Sequence, residues 1–404
     1  MRNSIPFLKY GRILIDNLYW ILVLSAMLGM FFAVSGITTL LYLLCLLVAL
    51  FVYTDRKVKK LDLLVIFFVV YSVVTYFYNL DYPLGLFLQS ARDQIIPIFF
   101  YFIARSNSFR NCQMLKKMIY PLGFAYVAGL YFYFFQPSWY MAFKLDNKDV
   151  WNVTNYYEIM RLSSFWWHSY FVGYSSLFVI IYILNQRFYN GVVRKYYNPI
   201  LIVAFLAIIF AQQRVSIAFL LLYLVGLYVI LVKKNIISFT KSVPYLVLFS
   251  IIFFSLGIYL FNSLDQDLVN YIVQRSIEKE DNLIEERTQM FDSYINTISF
   301  WGSGLGKYSH NAIKYGMDSI ADCEYIRLPN ELGIFGMSTF FIIIIVSYIS
   351  LFKRKNFYCF EMLIISFVLV AMIGATPLEM TTQQPYLLWY CIGRTQMRLY
   401  YDRC

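Results

Sequence analysis

Arginine residues near the ends of apolar segments supply the first chemistry that this sequence could perform. Arg214, within Gln213-Arg214-Val215-Ser216, falls where two apolar segments meet almost without a loop. A charged side chain kept at such a boundary usually faces a cavity or a partner, because placing it in lipid is costly. We therefore expect Gln213 and Arg214 to bind an anion, with a side chain that only reaches the membrane surface as the alternative.

Five further arginines offer the same chemistry. A planar guanidinium group binds phosphate through two parallel hydrogen bonds, so several arginines brought together would form a diphosphate site. Each one alone could equally form an ion pair with a neighbour, as Arg92 with Asp93 or Arg287 with Glu286. The five are Arg92, Arg161, Arg275, Arg287 and Arg327.

Proton acceptors are few. His310 lies in a polar segment, where it could accept a proton near neutral pH or be an ordinary surface residue. Glu324 and Arg327 are three residues apart and would share one helix face, so Glu324 is either a base or half of a salt bridge. The sequence has no HExxH motif, Cys/His cluster or GxSxG elbow, and we therefore expect no metal site, no cofactor and no hydrolase.

The elements that must position these residues are membrane helices. The chain of 404 residues is 60% hydrophobic and only 14% charged, whereas soluble domains are about 25% charged. This composition excludes a soluble enzyme. Continuous apolar runs argue against the alternating pattern of an outer-membrane barrel. The net charge of +11 then belongs to loops of a membrane protein rather than to a nucleic-acid surface.

Twelve spans of about 17–25 mostly apolar residues are predicted. The predicted fold class is therefore an all-α integral membrane protein, with one polytopic domain over 1–404. The spans are 17–34, 36–53, 62–79, 86–104, 116–135, 167–185, 198–213, 216–232, 243–261, 331–351, 357–376 and 384–397.

The loops of this topology differ in charge. Most of the 34 basic residues fall in the short loops of one side, and positively charged loops remain in the cytoplasm, so both termini are predicted to be cytoplasmic. The longer segments 136–166 and 262–330 are then on the outer face, and 283–299 is predicted to form an amphipathic helix. The run Gly302–Gly306 follows no strand, which favours a flexible turn or close backbone approach to a substrate.

Several short motifs resemble those of the O-antigen polymerase and ligase superfamily, most closely its polymerase branch. The topology of the whole chain shares in this resemblance, but the motifs lie within 212–336. They are Gln213-Arg214-Val215-Ser216, Glu286-Arg287, Trp301-Gly302-Ser303-Gly304-Leu305-Gly306, His310-Asn311 and Asn330-Glu331-Leu332-Gly333-Ile334-Phe335-Gly336.

The resemblance implies a glycosyltransferase of the integral-membrane GT-C type in a bacterial inner membrane. It would join oligosaccharide repeat units carried on undecaprenyl diphosphate at the outer face, building surface polysaccharide by inverting, metal-independent transfer. Its partners would be the lipid-linked oligosaccharide, membrane lipid and a chain-length regulator protein, without nucleic acid or cofactor.

The resemblance also assigns roles to residues. Arg214 and Arg287 would bind the departing diphosphate, and His310 or Glu324 would take the proton of the acceptor hydroxyl. Tyr325 would stack on a sugar face or pack against the membrane surface. The predicted substrate contacts are Arg92, Arg161, Gln213, Arg327 and Tyr325.

Two alternatives remain at this point. An O-antigen ligase would transfer the finished glycan to a lipid A core with the same arginines, so only the acceptor distinguishes it. A flippase that moves lipid-linked oligosaccharide would be a transporter. Transporters commonly contain repeated halves and charged residues near the bilayer midplane, and the sequence shows neither matching halves nor many charges within spans.

Overall fold

The computed structural model describes the chain in segments, and every regular element in them is helical. The predicted spans 17–34, 36–53 and 243–261 lie outside these segments, apart from single positions, as do Arg275 and Arg287. The described segments are 58–105, 113–146, 161–166, 169–189, 191–236, 291–320, 323–353, 359–379 and 384–396.

The described helices follow the apolar segments of the sequence. Short 3-10 helices also form at Ile96–Ile98 and His310–Tyr315. We number the α-helices in chain order: α1 Lys60–Tyr78, α2 Leu84–Gln94, α3 Phe99–Arg105, α4 Met114–Lys117, α5 Ile119–Phe135, α6 Ser138–Asp146, α7 Ser169–Phe188, α8 Tyr197–Ala211, α9 Arg214–Lys233, α10 Glu324–Phe352, α11 Phe360–Ala371 and α12 Gln384–Thr395.

Five helices of the described segments are long and apolar enough to cross a membrane by length and composition. Many of their large apolar side chains are exposed, for example Leu63 and Phe67 on α1 and Ile342 and Ile345 on α10. This is the pattern of helices that face lipid. The five are Lys60–Tyr78, Met114–Phe135, Ser169–Phe188, Arg214–Lys233 and Glu324–Phe352.

Two elements differ from the predicted spans. The predicted span 86–104 is broken into α2, a 3-10 turn and α3, because Pro97 has no N–H to continue the α-helical hydrogen bonds. Helix α10 begins at Glu324, inside the segment predicted as an outer loop, and its backbone leaves helical geometry at Gly333, with φ 71° and ψ 173°. The apolar pattern could not show this start, because the first turns of α10 are polar.

The break at Gly333 coincides with a backbone contact to the glycine-rich run. The Ser303 and Gly304 amides donate to the carbonyls of Asn330 and Glu331, each at 2.9 Å. The Tyr71 hydroxyl of α1 donates to the Trp301 carbonyl at 2.8 Å and to the Leu332 carbonyl at 3.1 Å. These bonds occupy backbone groups that a continuous helix would pair internally, and they bring 301–304 against α10.

Gly333→Ala is expected to destabilise the fold more than another glycine substitution at positive φ. A Cβ on Gly333 would lie 2.5 Å from the Gly302 nitrogen and Trp301 carbon, whereas one on Gly191, at φ 64°, meets nothing within 4 Å. Strain and overpacking together predict that Gly333→Ala lowers the free energy of unfolding by about 2–5 kcal/mol. For Gly191→Ala, strain alone predicts a decrease of roughly 1–2 kcal/mol. Thermal unfolding of the purified variants measures the difference. Equal losses would show that the contact does not require glycine.

Two buried ion pairs join helix ends. The Arg105 guanidinium of α3 contacts Asp62 of α1 at 2.6 Å, and the Tyr101 hydroxyl donates to the same carboxylate at 2.6 Å. Arg394 of α12 contacts Glu361 of α11 at 2.8 Å. Removing one member of such a pair leaves the other charge buried without compensation, so the pairs fix these helices relative to one another.

The chain divides into two compact units, residues 1–217 with 299–404, and residues 218–298. The helices that surround the sites below belong to the first unit. In the second, the described residues include most of α9 and 291–298. Of the predicted amphipathic helix 283–299, residues 291–299 are described, and only 291–295 are helical.

Candidate functional site

A cluster of buried charges is centred on Arg327 near the start of α10. Its guanidinium forms ion pairs with Glu324 and with Glu331, the latter at 2.5 Å, and both partners lie one turn away on the same helix. Glu379, which follows α11, lies 3.7 Å from the Arg327 Nε atom. The side chains of Arg327, Glu324 and Glu331 are 0% exposed, and that of Glu379 is 4% exposed.

Three atoms in this cluster lack a hydrogen-bond partner among the described residues. They are Glu324 Oε2, Arg327 Nε and Glu379 Oε2, and the last two face each other. Buried polar atoms almost always have partners, so an unpartnered pair at 3.7 Å separation needs an explanation. A hydroxyl group between them would donate to the carboxylate oxygen and accept from the guanidinium.

A second carboxylate group lies next to this cluster on α2. Arg92 binds Asp93 through two parallel bonds, at 2.6 Å and 3.1 Å. The Asn311 side chain donates to Asp93 at 3.3 Å, and the charge of Lys314 also acts on Asp93. Asp93 is buried, whereas the Arg92 side chain is 28% exposed and Lys314 is exposed. Carboxylates thus lie beneath a partly exposed rim of cations.

The glycine-rich run brings the segment 308–311 to this cluster. Gly302, Gly304 and Gly306 all have positive φ, between 83° and 112°. A Cβ on Gly304 would clash with the Tyr82 ring and one on Gly306 with Ser90 of α2. The close approaches that glycine permits here are therefore to helices and loops of the chain itself. These contacts pack 302–306 against the rest of the chain, so this run is not the flexible turn that was one of its two predicted roles.

Backbone amides after this run donate to the buried carboxylates. The Tyr308 amide donates to Glu331 Oε1 at 3.2 Å, and the His310 amide donates to Glu379 Oε1 at 2.9 Å. The Gln94 side chain donates to Glu331 Oε2 at 3.4 Å. The His310 imidazole is exposed, so His310 borders the cluster with its side chain at the surface.

Burial shifts the proton affinity of Glu379, which lies outside the apolar helices. Burial raises the pKa of its carboxyl from 4.5 to about 8, Arg327 opposes this shift, and the charges of Glu331, Glu324 and Asp93 add to it. A carboxyl group with a pKa near 8 can hold or release a proton close to neutral pH, which is the property of a general acid or base.

Stability should fall as the pH rises through the window set by Glu379. Between about pH 4.5 and 8 the folded protein holds a proton on Glu379 that the unfolded chain releases, so folding stability decreases with pH. Glu379→Gln is expected to reduce this dependence, and Asp318→Asn, at an exposed position, to leave it unchanged. Melting temperatures between pH 5 and 9 would contradict the assignment if wild type and Glu379→Gln showed the same dependence.

The structure brings together part of the predicted site. Arg92, His310, Glu324 and Arg327 meet in or beside the cluster. The ion pairs that the sequence offered as alternatives, Arg92 with Asp93 and Glu324 with Arg327, are both present. Arg327 is fully buried between glutamates and is therefore not an exposed anion contact. The catalytic and binding roles of these residues remain predictions.

The other predicted residues lie elsewhere. Gln213 donates to Ser169 of α7 at 3.0 Å, and Arg214 is the exposed first residue of α9. The Tyr325 hydroxyl donates to the Leu369 carbonyl of α11 at 2.9 Å, while its ring stacks on Phe341. Arg161 is buried and lines a separate small pocket with residues of α5 and α6. Arg287 lies outside the described residues.

Sequence reasoning gave no role to Glu379 or Lys314, named Glu331 only as part of a motif, and named Asp93 only as a possible ion-pair partner of Arg92. A signal for the three carboxylates was present, because ionisable residues within or beside apolar segments are costly and usually functional. These carboxylates are far apart in the sequence, so their position beside one another could not be predicted from it. Comparison of the chain with protein-family models, curated proteins and solved structures finds no match.

Proposed function

We propose that this protein is a membrane glycosyltransferase that joins lipid-linked oligosaccharide units, as a surface-polysaccharide polymerase does. Its donor would be a glycan on undecaprenyl diphosphate, and its acceptor would be the terminal sugar of a second lipid-linked unit. Reaction at the outer face of a bacterial inner membrane belongs to the same proposal.

The observation that supports this proposal is the convergence of three separate motifs. The run Trp301–Gly306, the pair His310-Asn311 and the element Asn330–Gly336 carry the resemblance to polymerases in the sequence. In the fold, backbone bonds join the first to the third, and Asn311 and the His310 amide contact the buried carboxylates. Separate motifs that meet at a cluster of buried charges are typical of an active site.

The geometry suggests a division of work. Glu379 would accept the proton of the acceptor hydroxyl. Its Oε2 atom, like that of Glu324, has no hydrogen-bond partner among the described residues, and its side chain is the least buried of the three glutamates around Arg327. Arg327 would hold the carboxylates in place. The cations of Arg92 and Lys314 at the rim would stabilise the charge on the departing diphosphate by electrostatics.

Purified protein in proteoliposomes tests the proposal directly. Supplied with undecaprenyl-diphosphate-linked repeat units, and without nucleotide sugar or added metal, it should produce a ladder of lipid-linked glycans resolved by size. Transfer only to an added lipid A core would instead show the ligase. Empty liposomes provide the control.

A proton-coupled transporter of lipid-linked oligosaccharide is the second candidate. It is favoured by the complete burial of Arg327, Glu324 and Glu331, since buried carboxylates next to an arginine are typical of proton relays in transporters. In the same proteoliposomes, a transporter would move the substrate across the membrane in response to a pH gradient and form no new glycosidic bond.

A further inference from the structure

Basic side chains collect where the start of α5, the end of α7 and the start of α8 meet. Arg187 Nη1 on α7 donates to Asn198 Oδ1 on α8 at 3.3 Å. The ring centre of Tyr120 on α5 lies 5.4 Å from that of Tyr196, which immediately precedes α8. We call the cations at these helix ends the basic patch, and they are Lys116, Lys117, Arg187, Arg194 and Lys195.

The residues between α7 and α8 carry the most accessible cations of the patch. Arg187, Arg194 and Lys195 are exposed, whereas the two lysines that precede α5 are half-buried. The Tyr197 amide donates to the Arg194 carbonyl at 3.0 Å, and the Val192 amide donates to a carbonyl of α7 at 3.0 Å. These bonds hold the exposed cations close to the two helices.

The sequence around the patch is strikingly poor in acid only in the sense that it has none: the stretches 94–145 and 159–264 contain no Asp or Glu, and all five cations lie within them. The Asp16 carboxylate accepts a backbone amide bond at 2.8 Å just before α4. Glu361 is already paired with Arg394. The patch therefore keeps an excess of positive charge.

The patch lies at the level expected for lipid headgroups. The helical segments Met114–Phe135 and Ser169–Phe188 are long and apolar enough to cross a membrane, and the cations lie at their ends. The charge of Arg194 acts on Tyr196 and Tyr197, whose ring centres are 5.1 Å apart. Tyrosine and basic side chains at the ends of membrane helices are typical of the membrane–water interface.

The basic patch and the Arg327 cluster belong to opposite ends of α11. Tyr182 of α7 packs on Phe360, the first residue of α11, with ring centres 5.7 Å apart, and the charge of Arg194 acts on Tyr182. Glu379 follows the other end of α11. The inference below therefore does not depend on the glycosyltransferase proposal and stands if that proposal fails.

We propose that the basic patch binds the headgroup of an anionic phospholipid, such as phosphatidylglycerol, at the membrane surface. Guanidinium and ammonium groups donate charge-assisted hydrogen bonds to phosphate oxygens, and the lipid supplies the negative charge that these stretches of the chain lack. The apolar helices next to the patch would contact the acyl chains. A free phosphate ion has no such chains, so the position favours the lipid.

Native mass spectrometry of the full chain in neutral detergent tests the site, with phosphatidylglycerol and phosphatidylcholine as probes. We expect wild type to bind phosphatidylglycerol more tightly. The double variant Arg194→Gln, Lys195→Gln should weaken this binding by about tenfold or more, because each cation near an anionic lipid contributes about fivefold. The control Lys60→Gln, Lys353→Gln makes the same change in net charge at exposed positions outside the patch, and it should bind as wild type does.

A second variant separates charge from structure. Arg194→Lys combined with Lys195→Arg keeps both charges and should retain binding, and the double glutamine variant should melt as wild type does without lipid, because both positions are exposed. The proposal is wrong if wild type binds both lipids equally, or if the double glutamine variant binds phosphatidylglycerol as wild type does. Displacement of the lipid by inorganic phosphate at equal concentration would overturn the assignment to a lipid.

Discussion

Arg327→Met should prevent most of the protein from folding. Among the described residues, the substitution removes the one cation that forms ion pairs with Glu324, Glu331 and Glu379, all of which are buried. Breaking a buried pair costs about 3–5 kcal/mol, because a charge remains in the interior without compensation. Here three carboxylates lose the same partner, so the decrease in the free energy of unfolding should reach at least about 3–5 kcal/mol. The measurement is the yield of monodisperse protein after solubilisation.

Neutralising the partners should restore folding. The triple variant Arg327→Met, Glu324→Gln, Glu331→Gln leaves no uncompensated charge on α10, and we expect a yield close to wild type without transferase activity. Arg394→Met is the matched control, since Arg394 forms an ion pair with Glu361 outside the cluster and is 15% exposed. The loss of yield in Arg394→Met should be smaller than that in Arg327→Met. Equal yields of Arg327→Met and wild type would refute a central structural role for Arg327.

Glu379→Gln should abolish most activity while the protein remains folded. Glutamine keeps the shape and can still accept the His310 amide bond seen at 2.9 Å, but it cannot accept a proton. Removing a general base typically lowers a rate by 10²- to 10⁴-fold, so we expect at least about a 100-fold loss. Initial rates of glycan elongation at equal folded amounts provide the measurement.

Two comparisons make the Glu379 result specific. Glu361→Gln changes another buried carboxylate, which contacts Arg394 outside the cluster, and should retain most activity. His310→Ala removes an exposed imidazole while the backbone amide that contacts Glu379 remains, so its loss should be smaller than that of Glu379→Gln. A larger loss for His310→Ala would return the base role to His310.

Local patterns predicted the helices better than their breaks. The predicted spans 62–79 and 198–213 lie within two residues of α1 and α8 at each end, because continuous apolar runs define them. The early start of α10 was not predictable in this way. Its first turns carry Glu324, Arg327 and Glu331, whose charges are compensated by one another rather than by solvent.

The site was predictable only where its residues are neighbours in sequence. The spacing of Glu324 and Arg327 indicated their ion pair, since residues three apart share a helix face. Nothing local links Glu379 to His310 or Asn311 to Asp93, because these contacts depend on how α2, α10 and the end of α11 pack. Arg161 was expected as a substrate contact, but the residues around it come from α5, α6 and 161–163, which no local pattern joins.

The pH dependence of glycan elongation is the most direct test of the account. Purified wild-type protein would be assayed with lipid-linked repeat units from about pH 5.5 to 9.5. If Glu379 is the base, the initial rate should rise with pH and level off above an apparent pKa near 8, because only the deprotonated carboxylate accepts a proton. No elongation at any pH would contradict the transferase, and elongation without this rise would contradict the role of Glu379.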